Sequence, residues 1–427
     1  MNTPISRRRL LATLATAAGG LGLLGLQRLF STAIAETPAD IVTPQVSLPL
    51  VVKSEPTATP TRTSTPTRTP TATPTQTPTA TATTPPGSGP KVIHTHSSNA
   101  TSWNFSTGWY GNYVNQTKIN EMVDNGLKQL MSTATIAQAW QALLPGYAAG
   151  KAIAIKVNFN NASCSDTENH IDALIEPVNA LIAGMKAAGV REQDIWIFDS
   201  TRPLPTRFRS RCLYANVRFF DAACAETASF SSADPNAHVT FANAHLQPRR
   251  VPDQLIEATY LINMPIMKDH AITGVTLGFK NHLGTIDVVE RPSPDSLHEH
   301  IGPGGTYYSA NYSPLVDIFK NPHIRNKTIL TVGDGLFGGL GTNTLPPERW
   351  DTFGNAAPNS LFFATDPVAI DCVMMDVLYA EPVYHPHEGS GSDDYLKLAA
   401  AAGLGVFEHG DPWGTGYHTI NYVKLEL

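Results

Sequence analysis

The sequence predicts an α/β fold in which a mainly parallel sheet carries helices on both faces, in a single large domain or two joined lobes. Short apolar runs alternate with helical stretches between residues 151 and 380, which is typical of parallel strands joined by helices. Several of these runs end in charged or amide side chains, as strands do around a ligand cleft. The 337 residues from 91 to 427 are enough to build a large core.

The predicted elements follow one another along the chain. A strand at 151–160 precedes a helix at 170–190, which Pro177 is expected to kink or restart. Further strands are predicted at 194–200, 217–223, 238–243, 259–268, 327–339 and 360–366. The run at 327–339 is expected to enter a glycine loop. A helix then begins at Pro367, where Asp366 suits the N-cap and proline suits the first helical position.

Polar side chains stand at the ends of these predicted strands. They are Lys156, Asn158, Asp199, Lys268, Asp334 and Asp366. Each alone has an ordinary structural explanation, such as helix capping or turn formation. A lysine in an apolar strand is costly, however, unless it meets an acid or an anionic ligand. The repetition across several strands favours one shared cleft at their carboxyl ends.

The stretch KDHAITGVTLGFKNHLGTI, residues 268–286, is the most informative part of the sequence. Lysines beside glycine-rich turns predict a pocket for an anion such as a phosphate or a carboxylate. Small residues let a ligand approach the backbone, and histidines can move protons or bind a metal. The catalytic candidates are therefore His270, His282, Lys268 and Lys280. The candidates for binding a cofactor are Lys156, Asn158, Gly274, Thr276, Asn281 and Asp334.

Histidine pairs raise the possibility of a metal ion. His94 and His96 lie on one face of a predicted strand, and imidazole pairs with a carboxylate can hold zinc, iron or copper. Two more clusters are His298 with His300, and His385 with His387 and Glu388. The metal candidates are Asp366, Asp371, His94 and His96. Asp371 has an alternative explanation, because an acid about one turn into a helix can interact favourably with the helix dipole.

Four cysteines stand at positions 164, 212, 224 and 372 without any CxxC pair. This spacing gives no reason to expect an iron–sulfur cluster bound by this chain. Four cysteines allow three pairings. Cys212 and Cys224, which lie twelve residues apart in a loop-like segment, are the favoured disulfide, with plain buried thiols as the alternative.

The first 90 residues predict export. Residues 1–35 contain SRRRLL, a weakly apolar run and a small-residue cleavage site after Ala35, as in a twin-arginine signal peptide. A retained membrane anchor is the alternative. Residues 36–90 form a Thr/Pro-rich disordered tether. The expected location is extracytoplasmic, with cell-envelope association possible and the twin-arginine translocase as a partner during export.

The charge of the chain argues against nucleic acid as a partner. The formal net charge is −6, and the four arginines of the predicted signal leave −10 on the globular part, because the tether is balanced. Such an acidic surface does not attract nucleic acid or anionic membranes. A small anionic ligand or a metal held in a local pocket is the expected partner.

Several stretches resemble the domain of unknown function 362 family. They are AIAIKVNFN, IWIFDS, YLINMPIMKDHAITGVTLGFKNHLGTI, TVGDGLFGG, FFATDPVAIDCVM and LAAAAGLGVFEHG. The resemblance implies an α/β fold and a site, without naming a reaction. Many such proteins carry four-cysteine iron–sulfur modules, and this sequence does not have those cysteines. A fainter similarity is to the nickel-dependent lactate racemase group, with Lys268, His270 and Lys280 as the analogous residues.

Three hypotheses about function follow. The first is an exported, metal- or cofactor-dependent enzyme that acts on a small anionic ligand through a cleft of lysine, histidine and aspartate. The second is a tethered protein that binds a solute or a metal without catalysis. The third is a structural surface protein whose polar strand ends pair with one another.

Overall fold

The computed structural model describes residues 87–160, 162–289, 293–340, 345–382 and 389–427. These residues all belong to one compact unit rather than two lobes. The predictions for the signal peptide, for nearly all of the tether, and for His385, His387 and Glu388 lie outside the described residues. Within the described part, no helix combines the length and the apolar character that crossing a membrane requires.

Thirteen strands are found in the described chain. They are β1 Lys91–His96, β2 Ile153–Lys156, β3 Ile195–Phe198, β4 Arg218–Asp221, β5 Glu226–Thr227, β6 His238–Val239, β7 Arg249–Arg250, β8 Tyr260–Asn263, β9 Ile266–His270, β10 Gly274–Thr276, β11 Thr328–Gly339, β12 Ser360–Ala364 and β13 Asn421–Glu426. Eleven of them form one sheet in the order β13-β1-β12-β11-β8-β2-β3-β4-β5, and β9 pairs with β11 and β10. Strands β6 and β7 form a separate pair.

The sheet is mainly parallel, as predicted. The six neighbours from β11 through β8, β2, β3 and β4 to β5 all run in the same direction. Their carboxyl ends therefore meet at one edge, which is where a ligand cleft is expected. Strand β12 runs antiparallel to both of its neighbours, β1 and β11, so the chain leaves β12 at the opposite edge.

Ten helices occur in the described residues. They are α1 Gln116–Met131, α2 Ile136–Leu143, α3 Ile175–Ala187, α4 Thr206–Arg209, α5 Asp253–Glu257, α6 Gly278–Asn281, α7 Pro314–Lys320, α8 Pro322–Arg325, α9 Pro367–Tyr379 and α10 Asp394–Ala401. Short 3-10 turns lie at Tyr110–Tyr113, Glu192–Asp194, His282–Thr285, Leu297–Glu299 and Asp351–Phe353. The predicted cap of α9 is confirmed, because the Asp366 side chain accepts from the backbone N–H groups of Val368 and Ala369.

Helices cover both faces of the sheet, which confirms the predicted fold class. Ile153 and Ile155 of β2 belong to a core with apolar residues of α1, α2 and α3. Ala154, between them, belongs to a second core with residues of α5, α7, α9 and α10. Successive strand residues point to opposite faces, so the two cores lie on opposite sides of the sheet.

Two prolines account for differences between the predicted and observed elements. The predicted helix at 170–190 begins only at Ile175, so that Pro177 lies in the first turn of α3, where a missing N–H costs no helical hydrogen bond. Pro265 divides the strand predicted at 259–268 into β8 and β9, since proline cannot donate to a sheet. Strand β6 is shorter than predicted, and the glycine loop expected in 327–339 is part of β11.

The predicted disulfide between Cys212 and Cys224 was wrong. The structure joins Cys164 to Cys224, with 5.4 Å between their Cα atoms, and leaves Cys212 and the buried Cys372 as free thiols. Cys164 follows β2 and Cys224 follows β4, so both cysteines lie beyond the carboxyl ends of parallel strands. Cys212 precedes β4 in the chain. Short spacing in the sequence was therefore a poor guide to proximity.

Candidate functional site

A buried ion pair lies at the carboxyl ends of β2 and β3. The Lys156 Nζ atom donates to Asp199 Oδ2 at 3.1 Å and to Asn281 Oδ1 at 3.0 Å. The two charged side chains are 0% and 1% exposed. Burial lowers the pKa of Lys156, and the Asp199 carboxylate opposes that shift. Lys156 therefore has an internal acid as its partner and belongs to the framework of the site.

The amide of Asn281 connects the ends of two strands, β2 and β8. Its oxygen also accepts from Asn158 Nδ2 at 3.0 Å. Its nitrogen donates to Asn263 Oδ1 at 2.8 Å, and Asn263 in turn donates to the Gly278 carbonyl at 2.9 Å. These contacts hold helix α6 against the ends of β2 and β8. The orientation of the Asn281 amide follows from Lys156, which can only donate.

Asp371 holds the other side of α6. Its carboxylate accepts from the backbone N–H groups of Gly278 and Phe279 at 2.8 and 3.0 Å and from the Tyr395 hydroxyl at 3.3 Å. Burial raises the pKa of Asp371 to about 7, although these hydrogen bonds oppose the shift. A Cβ atom on Gly278 would lie 2.7 Å from Asp371 Oδ1, so this contact requires glycine. Asp371 is a positioning residue for α6.

Lys280 projects from α6 with no hydrogen-bond acceptor or counter-ion among the described residues. Its side chain is only 9% exposed, and it lines a cavity of about 70 Å³. Burial, together with the positive charges of Lys268, Arg202 and Lys156, lowers the pKa of Lys280 to about 7. A buried ammonium surrounded by like charges is unfavourable unless something outside the chain compensates it.

The wall of this cavity is mainly polar, with a smaller apolar part. Besides Lys280, its polar lining consists of Asn158, Asn160, Asp199, Thr201, Arg202, His270 and His298. His270 Nδ1 accepts from the backbone N–H of Ile272 at 3.1 Å, so in neutral His270 the proton is on Nε2. The rings of His270 and His298 stack with 6.1 Å between centroids. Of the lysine, histidine and asparagine residues predicted from the sequence, Lys280, His270 and Asn158 line this cavity.

Lys268 lies beside the cavity but does not line it. Its Nζ atom donates to the Asp269 carbonyl at 2.8 Å. Burial lowers the pKa of Lys268 to about 8, although the negative charges of Asp269 and Asp172 act to raise it. Asp172 is itself buried, and burial raises its pKa to about 7. Asp172 was not among the candidates, because an acid at the start of a predicted helix is an ordinary feature.

Several candidates from the sequence stand outside the cavity lining. His282 is fully buried, its Nδ1 pairs with the Thr285 hydroxyl at 3.0 Å, and burial lowers its pKa to about 3. Gly274 has a φ of +80° in the hairpin of β9 and β10, which explains the glycine there. Thr276 pairs with Lys268 in that hairpin. Asp334 accepts from the Leu336 N–H, and burial raises its pKa to about 7.

The four metal candidates do not come together. His94 pairs with the hydroxyls of Tyr422 and Ser360, both at 2.8 Å, and His96 pairs with a carboxylate of β13. Asp366 caps α9 at the edge opposite the cavity, because β12 is antiparallel. The Asp371 carboxylate accepts hydrogen bonds from the backbone N–H groups of α6. In the described ranges, no group of three histidine, cysteine or acidic residues is arranged to hold a metal.

Other residues of the site were not predicted from the sequence. They are Asn160, Asp172, Thr201, Arg202, Asn263 and Gly284, whereas His298 was noted only as a possible metal ligand. Gly284 has a detectable reason for its identity, since a Cβ atom there would lie 2.6 Å from Lys156 Nζ and 2.8 Å from Asp199 Oδ1. It lies within the 268–286 stretch, where the density of glycines was the available signal.

The fold and the cleft together define an α/β protein with a buried cationic site at the carboxyl edge of its sheet. A family model described as "Domain of unknown function (DUF362)" matches residues 153–376, which is more than half of the chain. The protein belongs to this family. The matched segment contains the Lys156–Asp199 pair, all of α6 and Asp371.

Among solved structures, the chain is similar to the crystal structure of a protein from Thermotoga maritima, with 14% sequence identity and a TM-score of 0.32. The similarity covers 53% of this chain and 51% of that one, so the chain spans about half the length of that protein. The search of curated proteins found no match.

Proposed function

We propose that the cavity beside Lys280 binds a small anion that carries a phosphate or carboxylate group. The observation that carries this proposal is the buried Lys280 ammonium, which has no acceptor among the described residues and faces other cations. A bound anion would supply the missing acceptor. Arg202 and the side-chain amides of the cavity wall add donors suited to oxyanions.

The proposal predicts that Lys280→Met weakens anion binding by about tenfold to a hundredfold, since a hydrogen bond to a charged group contributes about 1.5–3 kcal/mol. Titration calorimetry with sulfate and with inorganic phosphate measures this loss. Lys327→Met is the control, because Lys327 is also partly buried but donates to the carbonyls of Leu255 and Ile256. Equal affinity of wild type and Lys280→Met would refute the proposed site.

The proposal also predicts how affinity depends on pH. Because the pKa of Lys280 is about 7 in the free protein, the ammonium that attracts the anion is present below pH 7 and is lost above it. Sulfate keeps its charge over this range, so its affinity should fall by up to about tenfold per pH unit above pH 7. Lys280→Arg, which stays charged, should remove this dependence. A constant wild-type affinity from pH 6 to 9 would contradict the assignment.

An enzyme that acts on the bound anion is favoured over a simple binding protein. Two imidazoles, His270 and His298, stand in the wall of the same cavity, and a binding protein has no need of proton-transfer groups. Without a three-ligand group among the described residues, this proposal relies on the anion site rather than on a metal. Mass spectrometry of ligand co-purified with wild type and His270→Gln separates the hypotheses. An enzyme should accumulate unconverted substrate in the variant, whereas a binding protein should retain the same ligand.

Export by the twin-arginine route belongs to the same proposal. The SRRRLL stretch supports it, and so does the Cys164–Cys224 disulfide, because disulfides persist in oxidising compartments. The full chain with Arg7→Lys and Arg8→Lys should stay uncleaved in the cytoplasmic fraction, while wild type appears outside it. Identical fractionation of the two chains would exclude this route.

A further inference from the structure

The surroundings of Lys280 suit an amine that reacts with a ligand, and not only one that attracts a ligand by its charge. Its side chain is enclosed, it lines the cavity, and Nζ donates to no acceptor in the described part of the chain. The other two lysines of the site differ in this respect. Lys156 Nζ donates to Asp199, Asn281 and the Val157 carbonyl, and Lys268 Nζ donates to the Asp269 carbonyl.

We propose that Lys280 is a nucleophile that forms a Schiff base with a small 2-oxo carboxylate bound in this cavity. The inference rests on the proposed anion site and names its substrate class. A 2-oxo acid carries a carboxylate, which Arg202 and the amides of the wall can hold, next to an electrophilic carbonyl carbon. The small cavity, of about 70 Å³, favours a short substrate over a large one.

The chemistry requires a neutral amine, and the cavity provides the conditions for one. Burial and the charges of Lys268, Arg202 and Lys156 all disfavour the ammonium form, which lowers the pKa of Lys280 to about 7. A lowered pKa increases the fraction of neutral amine near neutral pH, whereas an ordinary lysine is protonated almost completely there. Enzymes activate Schiff-base lysines by desolvation and by a neighbouring cation in this way.

The reaction balances without an external oxidant or reductant. The amine of Lys280 attacks the carbonyl carbon, and one of its protons passes to the carbonyl oxygen to give a carbinolamine. The C–O bond then breaks, the hydroxyl takes up the second amine proton, and water leaves as the C=N bond forms. An imidazole in the wall, His270 or His298, is suited to carry these protons.

The position of Lys280 is held from both sides of α6. Asp371 binds the N–H groups of Gly278 and Phe279, and Asn281 is bonded to Lys156 and Asn263. A nucleophile on a short helix tied to the strand ends needs little reorganisation before attack. These contacts make Asp371 and Asn281 positioning residues for the proposed nucleophile.

Trapping the imine tests the inference. Purified full chain is incubated with pyruvate and sodium cyanoborohydride at pH 7.5, digested and mapped by mass spectrometry. We expect Lys280 to carry the reduced pyruvyl group at least about tenfold faster than Lys327 or any exposed lysine. Sulfate should slow the labelling of Lys280 alone. Unmodified Lys280, or equal labelling of many lysines, would overturn the inference. Because the experiment uses the wild-type chain, this result does not depend on whether a variant folds.

Sulfate calorimetry on the same preparation separates this inference from the proposed function. Sulfate binding without an adduct at Lys280 would leave the anion site standing and refute the nucleophile. An adduct at Lys280 without sulfate binding would support the nucleophile and refute the general anion site. As a second check, Lys280→Arg should bind sulfate but form no adduct, whereas Lys327→Arg should behave as wild type in both experiments.

Discussion

Asp199→Ala is expected to lower the free energy of unfolding by about 3–5 kcal/mol, which is the usual cost of removing one partner of a buried ion pair. The reason is that Lys156, which is 0% exposed, would keep its charge without a counter-ion. The Asp199 carboxylate also accepts from the backbone N–H groups of Thr201 and Arg202 at 3.0 and 3.1 Å. These donors would lose their acceptor too. Urea unfolding monitored by fluorescence measures the change.

An exposed ion pair provides the matched control. Glu226 pairs with Arg218, with side chains 51% and 42% exposed, so Glu226→Ala should cost no more than about 1 kcal/mol. The double variant Lys156→Met with Asp199→Ala should be less destabilised than Asp199→Ala alone, because it no longer buries an unpaired ammonium. A loss for Asp199→Ala as small as that for Glu226→Ala would show that the pair contributes little to stability.

Loss of the Cys164–Cys224 disulfide should destabilise the fold by about 2–4 kcal/mol. The bridge closes a loop with a sequence separation of 60, and a loop of this length restricts the unfolded chain considerably in the chain-entropy description. Cys164→Ser and Cys224→Ser should each give the full loss, and the double variant should lose no more, because all three remove the same bond. Urea unfolding with and without a reductant measures this.

Cys212→Ser is the control for the disulfide prediction. Cys212 is half-buried and free, so its replacement should change the free energy of unfolding by less than about 1 kcal/mol. Reductant should destabilise wild type and Cys212→Ser alike and leave Cys164→Ser unaffected. If completely reduced wild type unfolds at the same urea concentration as the oxidised protein, the expected stabilisation is absent.

Part of the site could be predicted because the cost of a buried charge is visible in the sequence. Lys156 stands in an apolar strand, and this position required an acid or an anion nearby. The density of lysines, histidines and glycines in 268–286 likewise indicated a pocket. What the sequence left undecided was which lysine would meet an acid and which would face a cavity. Lys156, Lys268 and Lys280 are equivalent in this respect until the strands are placed.

The metal candidates and the disulfide show the same limit. Asp366 and Asp371 lie five residues apart, yet the antiparallel direction of β12 puts Asp366 at the far edge while Asp371 reaches α6. Cys212 is closer to Cys224 in the sequence than Cys164 is, yet Cys224 forms its disulfide with Cys164. In each case, the direction of a strand decided the outcome. Strand direction depends on pairing with distant segments, which local patterns do not record.

The sequence by itself determined the alternation of strands and helices, the cap of α9 and the tendency of polar groups to follow the strands. These features depend on neighbours two to four residues away, whose periodicity and turn chemistry are local. The tertiary structure alone decided that Asp199 neutralises Lys156 across 43 residues, and that Asn281 reaches Lys156 across 125. The same strand order left Lys280 facing the cavity, with no acceptor bonded to its Nζ atom among the described residues.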